Sequence, residues 1–345
     1  MVLVQIINVF FVAGIISYLL TPFIRTVAIK TGYLDHPKDN KVHAHPTPLL
    51  GGVAIFTAFL ISVLARESLL TLSPVRAMLL GATTLLIVGL IDDKMGMMPS
   101  FKLLGQFLAA MVIVRSGVRI EFINNQYLGM IVTYIWIIGI TNAFNLLDNM
   151  NGLSAGIAGI SALFFGIIAY MNGEMLISAL CCAVAGSALG FLKHNFPKAN
   201  IFMGDSGSLV LGYLLAVIAI IGSWKTYIVT TSLAVPLLVL GYPIFDTTLV
   251  SVMRILERRS IFQGGKDHSS HRLALLVSKR YRAVLIVYGV CIFLGIIAIA
   301  ITKTHWKTGI MLEISALFFM LALGVRLSLV DTKRFGRKKI ADERK

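Results

Sequence analysis

Two adjacent carboxylates, Asp92 and Asp93, end an apolar run at 76–91. At a helix C-terminus such a pair opposes the helix dipole and its two charges repel, so a cation or a proton must relieve it. Magnesium takes hard oxygen ligands and commonly bridges to substrate phosphates. The pair therefore indicates either a magnesium–phosphate site or, if it acts alone, a solvated pair at a helix end.

Amide and carboxylate groups recur every three residues between two apolar runs, at Asn145, Asp148 and Asn151. On a helical turn this spacing places the three side chains on one face. The carboxamide oxygen of Asn is a hard metal ligand, and Asp and Asn side chains can hold a base edge or a ribose. Helix capping before Gly152 would explain one of the three, and less easily all of them.

A glycine-flanked acid, Asp205, opens another apolar run in the sequence FMGDSGS at 202–208. Glycine lets a backbone approach a ligand closely, and the N-terminus of the following helix favours an anion. Asp205 could hold the cation that accompanies that anion. N-capping by Asp205 or Ser206 is the structural alternative, and the two interpretations are compatible.

Two loops are rich in histidine and basic residues. One carries His268, His271 and Arg272, which could clamp a diphosphate, contact lipid headgroups, or supply a histidine pair to zinc. The first loop carries Lys41 and three histidines, a composition that favours phosphate binding or acid–base work, or else a proline-ordered loop without a chemical role.

Two further ionisable residues lie at or within apolar runs. Lys102 begins the fourth run, one loop after Asp92 and Asp93, and could reach the same site. Asp246 lies inside the ninth run, where it either supports the site or pairs within a helix bundle.

The elements that position these residues must lie in a membrane. Of the 345 residues, 57% are hydrophobic and only 14% are charged, against about 25% charged in soluble domains. A chain this apolar has too little polar surface for water, so the bilayer must be its solvent. The three cysteines fall within apolar runs and are predicted to be core residues.

We predict an all-α, polytopic transmembrane helical bundle that forms a single domain over 1–345. The first run is long enough to remain as a span, so no cleaved signal peptide is predicted. About eleven spans are expected, at 2–24, 49–65, 76–91, 103–118, 129–147, 152–171, 176–193, 207–223, 228–253, 283–302 and 308–330.

Basic residues predict the orientation. With the N-terminus outside, and with residues near the end of a span assigned to the nearer side, the cytoplasmic side including the basic C-terminal tail at 331–345 holds 24 of the 31 Lys and Arg residues, as the positive-inside rule requires. This bias explains the net charge of +15 without nucleic acid as a partner. All ten aspartates fall on or near the same side, although topology makes no demand on Asp. The active site is therefore predicted to open to the cytoplasm.

Together the motifs resemble those of the polyprenyl-phosphate N-acetylhexosamine-1-phosphate transferases, a glycosyltransferase family that initiates bacterial cell-envelope polysaccharides. The resemblance runs from about Gly32 to Arg272, with matching order and spacing. The eleven-span count resembles the N-acetylglucosamine branch more than the ten-span muramoyl-pentapeptide branch.

This resemblance implies a reaction and a location. A sugar-1-phosphate, with N-acetylglucosamine-1-phosphate favoured and other N-acetylhexosamines open, would pass from a UDP-sugar to undecaprenyl phosphate, releasing UMP. The enzyme would lie in the bacterial inner membrane in contact with membrane lipid, with homodimer formation left open.

The resemblance also implies residue roles. Asp92 would be the base on the lipid phosphate with Asp93 beside it, and Asn145 and Asp205 would hold Mg²⁺, for which Mn²⁺ could substitute. Phosphates would be bound by Lys41, Lys102, His268, His271 and Arg272, and the nucleotide by Asp148 and Asn151. Two positions depart from the family pattern, which often has Asp where Asn151 stands and His at or beside Ser270.

Both predicted substrates are anionic, so the protein chiefly needs to position an in-line attack and to neutralise charge. We predict direct attack of the lipid phosphate on the donor diphosphate; the alternative is a covalent Asp intermediate with ping-pong kinetics. Secondary transport of an anionic solute is the rival function. It would place ionisable groups near the bilayer midplane and often show inverted repeats, and the sequence has neither pattern.

Overall fold

The computed structural model describes residues 2–35, 46–226, 229–260, 265 and 267–331, with side chains described throughout except at 229–231. The described residues are mostly helical. They divide into two compact units, Met1–Lys225 and Thr226–Lys345, and each unit is described by itself.

The first unit is a helical bundle with one short antiparallel ladder, in which Leu34 pairs with Pro48 and Asp35 with Thr47. In chain order its described elements are α1 (Val2–Thr31), β1 (Leu34–Asp35), β2 (Thr47–Pro48), α2 (Gly51–Leu64), α3 (Glu67–Leu70), α4 (Ser73–Met95), α5 (Pro99–Arg115), α6 (Gln126–Leu147), α7 (Leu153–Met171), α8 (Met175–Asn195) and α9 (Gly204–Ile221).

The second unit is helical throughout its described elements. These are α10 (Val229–Val239), α11 (Gly241–Leu256), α12 (Ser269–Val277), α13 (Arg280–Lys303) and α14 (Trp306–Ser328).

Within the described residues, eight helices are long and apolar enough to cross a membrane, and nine spans result if the bent pair α10–α11, with its 72° break, is one. The prediction of an all-α polytopic membrane protein is confirmed. Each of the eleven predicted segments falls on a helix or on the bent pair. However, α2 and α5 have 14 and 17 residues, or roughly 21 and 26 Å at 1.5 Å per residue, short of the roughly 30 Å hydrocarbon core. The count of eleven, the orientation and the single domain stay predictions.

Helix α9 forms the core of the first unit. It is the most buried of the candidate spans, with 83% of its apolar window inside the protein, and it packs against α2, α4, α6, α7 and α8. Among the cysteines, which are free thiols, Cys181 and Cys291 are buried and Cys182 is partly so. Because α9 lies at the centre, its N-terminus is within reach of several surrounding helix ends.

Close approach of α4 to α9 depends on Gly89. A Cβ atom at this position would overlap the backbone of Ser206 at the start of α9. Asp93 lies one turn further along α4, on the same face as Gly89. The glycine therefore brings the acidic end of α4 onto the N-terminus of α9.

Candidate active site

Asp93 lies against the first turn of α9. Its Oδ1 accepts a hydrogen bond from the Asp205 N–H at 2.8 Å, and its Oδ2 accepts one from the Ser206 N–H at 3.2 Å. These N–H groups have no partner within their own helix, and the N-cap residue Met203 provides no side-chain cap. Asp93 thus caps α9 from another helix and sets the position of Asp205.

The backbone at Gly204 is compatible only with a residue lacking a side chain. Its φ is +73°, and a Cβ there would lie 2.5 Å from Asp93 Oδ2. Glycine adopts positive φ without steric cost. The glycine that precedes Asp205 is therefore required for the Asp93 cap itself.

Lys102 joins two of the carboxylates. Its Nζ lies 2.6 Å from Asp92 Oδ2 and also makes a short contact with Asp205 Oδ2. The other oxygen of Asp92 accepts a hydrogen bond from the Met97 N–H at 2.6 Å, which closes the turn between α4 and α5. The Lys102, Asp92 and Asp205 side chains are 20%, 11% and 28% exposed, so a ligand can reach them from solvent.

Asn145, near the end of α6, completes this cluster. Its Nδ2 donates to Asp205 Oδ1 and to Ser208 Oγ, each at 3.0 Å. Both described bonds use the amide nitrogen, so the carboxamide oxygen remains available as a hard ligand. Ser208 was not singled out from the sequence, although its position one turn after Asp205 was a usable signal.

The predicted common helical face of Asn145, Asp148 and Asn151 is wrong. Helix α6 ends at Leu147, Asp148 has a non-helical ψ of 46°, and Gly152 has a positive φ. Asn151 instead donates from Nδ2 to the Pro197 carbonyl at 3.3 Å. The three-residue spacing here belongs to a helix end and the turn after it.

Asp148 is surrounded by protein and by like charges. Burial, together with the charges of Asp205 and Asp93, raises its pKa to about 8. At neutral pH the side chain is therefore mostly protonated and can donate a hydrogen bond. This suits contact with a hydrogen-bond acceptor such as a carbonyl oxygen.

Few protein side chains are available at this site to bind a metal ion. Among the described residues, no three or more His, Cys, Asp or Glu side chains form a group that could hold a metal ion. The cluster instead offers two carboxylates, Asp92 and Asp205, that converge on the ammonium of Lys102, with the Asn145 amide beside them. Such hard oxygen donors fit Mg²⁺ bound by few protein ligands, with substrate phosphates and water completing its shell.

The second unit contains a separate buried network around Asp246. The carboxylate is fully buried; its Oδ2 lies 2.7 Å from His268 Nδ1, and its Oδ1 accepts from the Ser269 N–H and Oγ at 2.7 and 2.5 Å. Of the two interpretations of Asp246, pairing inside a bundle is thus observed. That Asp246 also supports the site, and that His268 contacts a phosphate, stay predictions.

Arg272 has structural partners in the same unit. Its Nη1 donates to the Leu327, Ser328 and Val330 carbonyls at 3.2, 3.3 and 2.9 Å, capping the C-terminus of α14. Its Nε donates to the Asp267 carbonyl at 2.9 Å. The predicted phosphate contact stays a prediction, as does that of the buried His271.

Asp267 forms a buried ion pair that sequence reasoning missed. Arg254 donates to its two oxygens at 2.9 and 2.8 Å. An arginine in the last turn of an apolar helix was the available signal. Lys41 and the three histidines of the first loop lie outside the described residues.

The fold and these contacts define a polytopic helical membrane protein with a carboxylate–lysine–carboxamide cluster where four helix ends meet. The chain belongs to glycosyl transferase family 4, whose family model matches residues 75–223. The matched segment contains every member of that cluster, and the resemblance inferred from the motifs is confirmed.

Curated relatives cover nearly the whole chain. The chain is 34% identical to a probable undecaprenyl-phosphate N-acetylglucosaminyl 1-phosphate transferase of Bacillus subtilis, over 96% of this chain and 94% of the relative. It is 30% identical to a decaprenyl-phosphate N-acetylglucosaminephosphotransferase of Mycolicibacterium smegmatis, over 85% and 80%. It is 28% identical to a phospho-N-acetylmuramoyl-pentapeptide-transferase of a Geobacillus species, over 85% and 95%.

Proposed function

We propose that this protein transfers N-acetylglucosamine-1-phosphate from UDP-N-acetylglucosamine to undecaprenyl phosphate, releasing UMP. The observation that carries the proposal is the cluster of Asp92, Lys102, Asn145 and Asp205 within a glycosyl transferase family 4 chain. The named activities of the N-acetylglucosamine relatives support the sugar and the acceptor.

The reaction is phosphoryl transfer between two anions. An oxygen of the lipid phosphate attacks the β-phosphorus of the donor, the bond from this phosphorus to the bridging oxygen breaks, and UMP leaves with the electron pair. A phosphate's second pKa is about 6, so the acceptor is largely ionised at neutral pH. The protein has to align the two substrates and offset their charge.

Each residue of the cluster has a proposed task. Lys102 offers a cation to the donor phosphates, and Asp92 orients the acceptor phosphate and takes its remaining proton. Asp93 keeps the start of α9, and with it Asp205, in place. Protonated Asp148 donates a hydrogen bond to the nucleotide, with Asn151 nearby in sequence.

Asp205 and the Asn145 carboxamide oxygen would hold Mg²⁺, with Mn²⁺ as a substitute. When bound, the ion supplies positive charge to the diphosphate and to the leaving UMP. Lys41, His268, His271 and Arg272 keep their predicted phosphate contacts as part of this proposal.

The proposal includes a membrane arrangement. Eleven spans, an external N-terminus and a site open to the cytoplasm of the bacterial inner membrane would bring both substrates together, because a sugar nucleotide is soluble and a polyprenyl phosphate is held in the bilayer. The product would initiate a cell-envelope polysaccharide.

One assay tests the function. Purified protein in lipid nanodiscs receives undecaprenyl phosphate, Mg²⁺ and a panel of UDP-sugars, and UMP release is measured. We expect UMP release with UDP-N-acetylglucosamine only when the acceptor is present, and no release once Mg²⁺ is chelated. The rate of UMP release should fall at least about a hundredfold in Asp205→Asn. Glu121→Gln removes an acid outside the cluster and should leave the rate unchanged.

Other outcomes decide the alternatives. UMP release without acceptor would favour a covalent Asp intermediate over direct attack. Normal turnover in both Asp92→Asn and Asp205→Asn would reject the proposed site, and turnover with another UDP-N-acetylhexosamine alone would reject the sugar.

A further inference from the structure

A recess outside the acidic cluster lies between α1 and the segment that follows α8. It has a volume of about 310 Å³ and is lined by Thr21, Pro22, Arg25, His194, Asn200 and Ile201. None of these residues has a part in the proposed reaction.

A proline in α1 shapes one wall of the recess. Pro22 has no N–H, so the Tyr18 carbonyl four residues earlier lacks its helical partner. His194 supplies one, since its Nε2–H donates to the Tyr18 carbonyl at 3.0 Å, and its ring stacks on the Tyr18 ring with centroids 4.9 Å apart. The histidine is thereby held in one orientation beside the recess.

The opposite wall carries Arg25. Its Nε donates to the Asn200 carbonyl at 3.1 Å, which orients the guanidinium. This single described bond leaves the four N–H donors of the two Nη atoms for another partner. A guanidinium presents such donors in a fork that matches phosphate oxygens.

All the charged residues in the two chain segments around the recess are basic. Residues 2–31 and 175–204 contain no Asp or Glu, whereas they include Arg25, Lys30, Lys193 and Lys198. No carboxylate of these two segments can therefore pair with Arg25. The charge pattern favours an anion in the recess.

The length of α1 favours a position of the recess at headgroup depth. Arg25 is 23 residues after the start of α1 at Val2, or roughly 35 Å along the helix, against a hydrocarbon core of about 30 Å. Tyr18 and Phe11, seven and fourteen residues before Arg25 and so on its face of the helix, are 45% and 56% exposed. A ligand with a phosphate and acyl chains would match both features.

We propose that this recess binds the phosphate of an anionic membrane phospholipid, with Arg25 as the charged donor and the acyl chains lying along α1. This site is separate from the acidic cluster and does not depend on the proposed reaction. Lipid bound here would hold α1 against the segment after α8.

Native mass spectrometry of the delipidated full-length protein can test the site. Phosphatidylglycerol is titrated in, with phosphatidylcholine and inorganic phosphate as separate arms. We expect tighter binding of phosphatidylglycerol than of phosphatidylcholine, and about a tenfold loss in Arg25→Gln, the effect of one charge-assisted hydrogen bond. Arg25→Lys keeps the charge but loses the forked guanidinium. Its affinity for phosphatidylglycerol should therefore fall between those of the parent and of Arg25→Gln.

Lys193→Gln is the matched control, because it removes one positive charge next to His194 without altering a residue of the recess. The affinity of Lys193→Gln for phosphatidylglycerol should fall by no more than about twofold. An equal loss in both variants would overturn the proposal, since it would indicate general surface charge. The proposal would also be overturned if the Arg25→Gln protein elutes and melts like the parent and still binds phosphatidylglycerol with unchanged affinity. Displacement of the bound lipid by millimolar inorganic phosphate would overturn it as well.

Discussion

The Asp93 carboxylate on α4 holds the backbone of Asp205 on α9. It accepts the Asp205 N–H at 2.8 Å, although the two residues are 112 positions apart in the chain. Asp92 instead pairs with Lys102 at 2.6 Å. Two adjacent acids of the same type thus have different partners. One orders a helix start, and the other belongs to the cluster formed with Lys102 and Asp205.

This difference predicts that the two acids affect stability differently. Asp93→Ala should lower the free energy of unfolding by about 1–2 kcal/mol, because α9 loses its cap, and turnover should fall with it. Asp93→Asn should recover most of the stability, since Asn is also a good cap. Asp92→Asn should abolish turnover with little change in melting temperature. Thermal melts in detergent and UMP release measure both effects, and a parent-like melt for Asp93→Ala would contradict the cap.

Gly89 should tolerate no side chain. Gly89→Ala places a methyl group on the backbone of Ser206, and we expect a loss of about 1–3 kcal/mol in the free energy of unfolding, with reduced activity. Gly139→Ala is the control, because a Cβ there meets nothing within 4 Å; alanine should be neutral or slightly stabilising in that helix. Equal melting temperatures for the two variants would reject the close α4–α9 contact.

Asp246 should control the proton position on His268. With the carboxylate present, Nδ1–H donates to Asp246 and Nε2 is left for a ligand. In Asp246→Asn the amide can donate to Nδ1 instead, which moves the ring proton to Nε2. We expect a loss of about 10–100-fold in turnover, the usual cost of disturbing such a supporting partner, and a changed tautomer signature in ¹⁵N NMR of His268.

Thr247→Val is the control for that change. Its hydroxyl, next to Asp246, has no hydrogen-bond partner in the described residues, so both the rate and the His268 spectrum should match the parent. An altered rate in Asp246→Asn with an unaltered His268 spectrum would indicate a general structural defect and contradict the positioning role.

The Arg254–Asp267 pair predicts a pH-dependent stability. Burial alone would raise the pKa of Asp267, but the hydrogen bonds and charge of Arg254 outweigh it and hold the pKa at about 2. A carboxyl group with a lowered pKa stabilises the fold when the pH is above the pKa of the same group in the unfolded chain, which is near 4. This contribution is lost as the pH falls towards 2. Asp267→Asn should therefore lower the free energy of unfolding by about 2 kcal/mol at pH 7, and by less as the pH drops from 4 to 2.

Melting temperatures of parent and variant from pH 7 down to pH 2.5 would test this. Glu257→Gln is the control, because its pair with Arg259 is exposed and should contribute under about 1 kcal/mol. If the difference in melting temperature between the parent and Asp267→Asn stays constant with pH, the ion pair is not its cause.

Much of the fold and several members of the cluster were predictable from local sequence. Apolar runs of sufficient length must become helices in a bilayer, because backbone groups there find partners only within the helix. Asp92, Asp205 and Asn145 were found because charges and amides at the ends of such runs are costly and hence informative. The same local reasoning wrongly placed Asn145, Asp148 and Asn151 on one helical face, since a three-residue spacing cannot reveal that Asp148 leaves the helical conformation.

The sequence by itself therefore determined the solvent, the helices and the list of candidate groups. Only the tertiary structure decided which group meets which: that Asp93 caps α9, that Lys102 bridges Asp92 and Asp205, and that Arg272 caps α14. Helix periodicity specifies which face of each helix is apolar, but not which helix packs against it. Those partners depend on backbone approach over long sequence distances, as at Gly89, where the absence of a single side chain sets the contact.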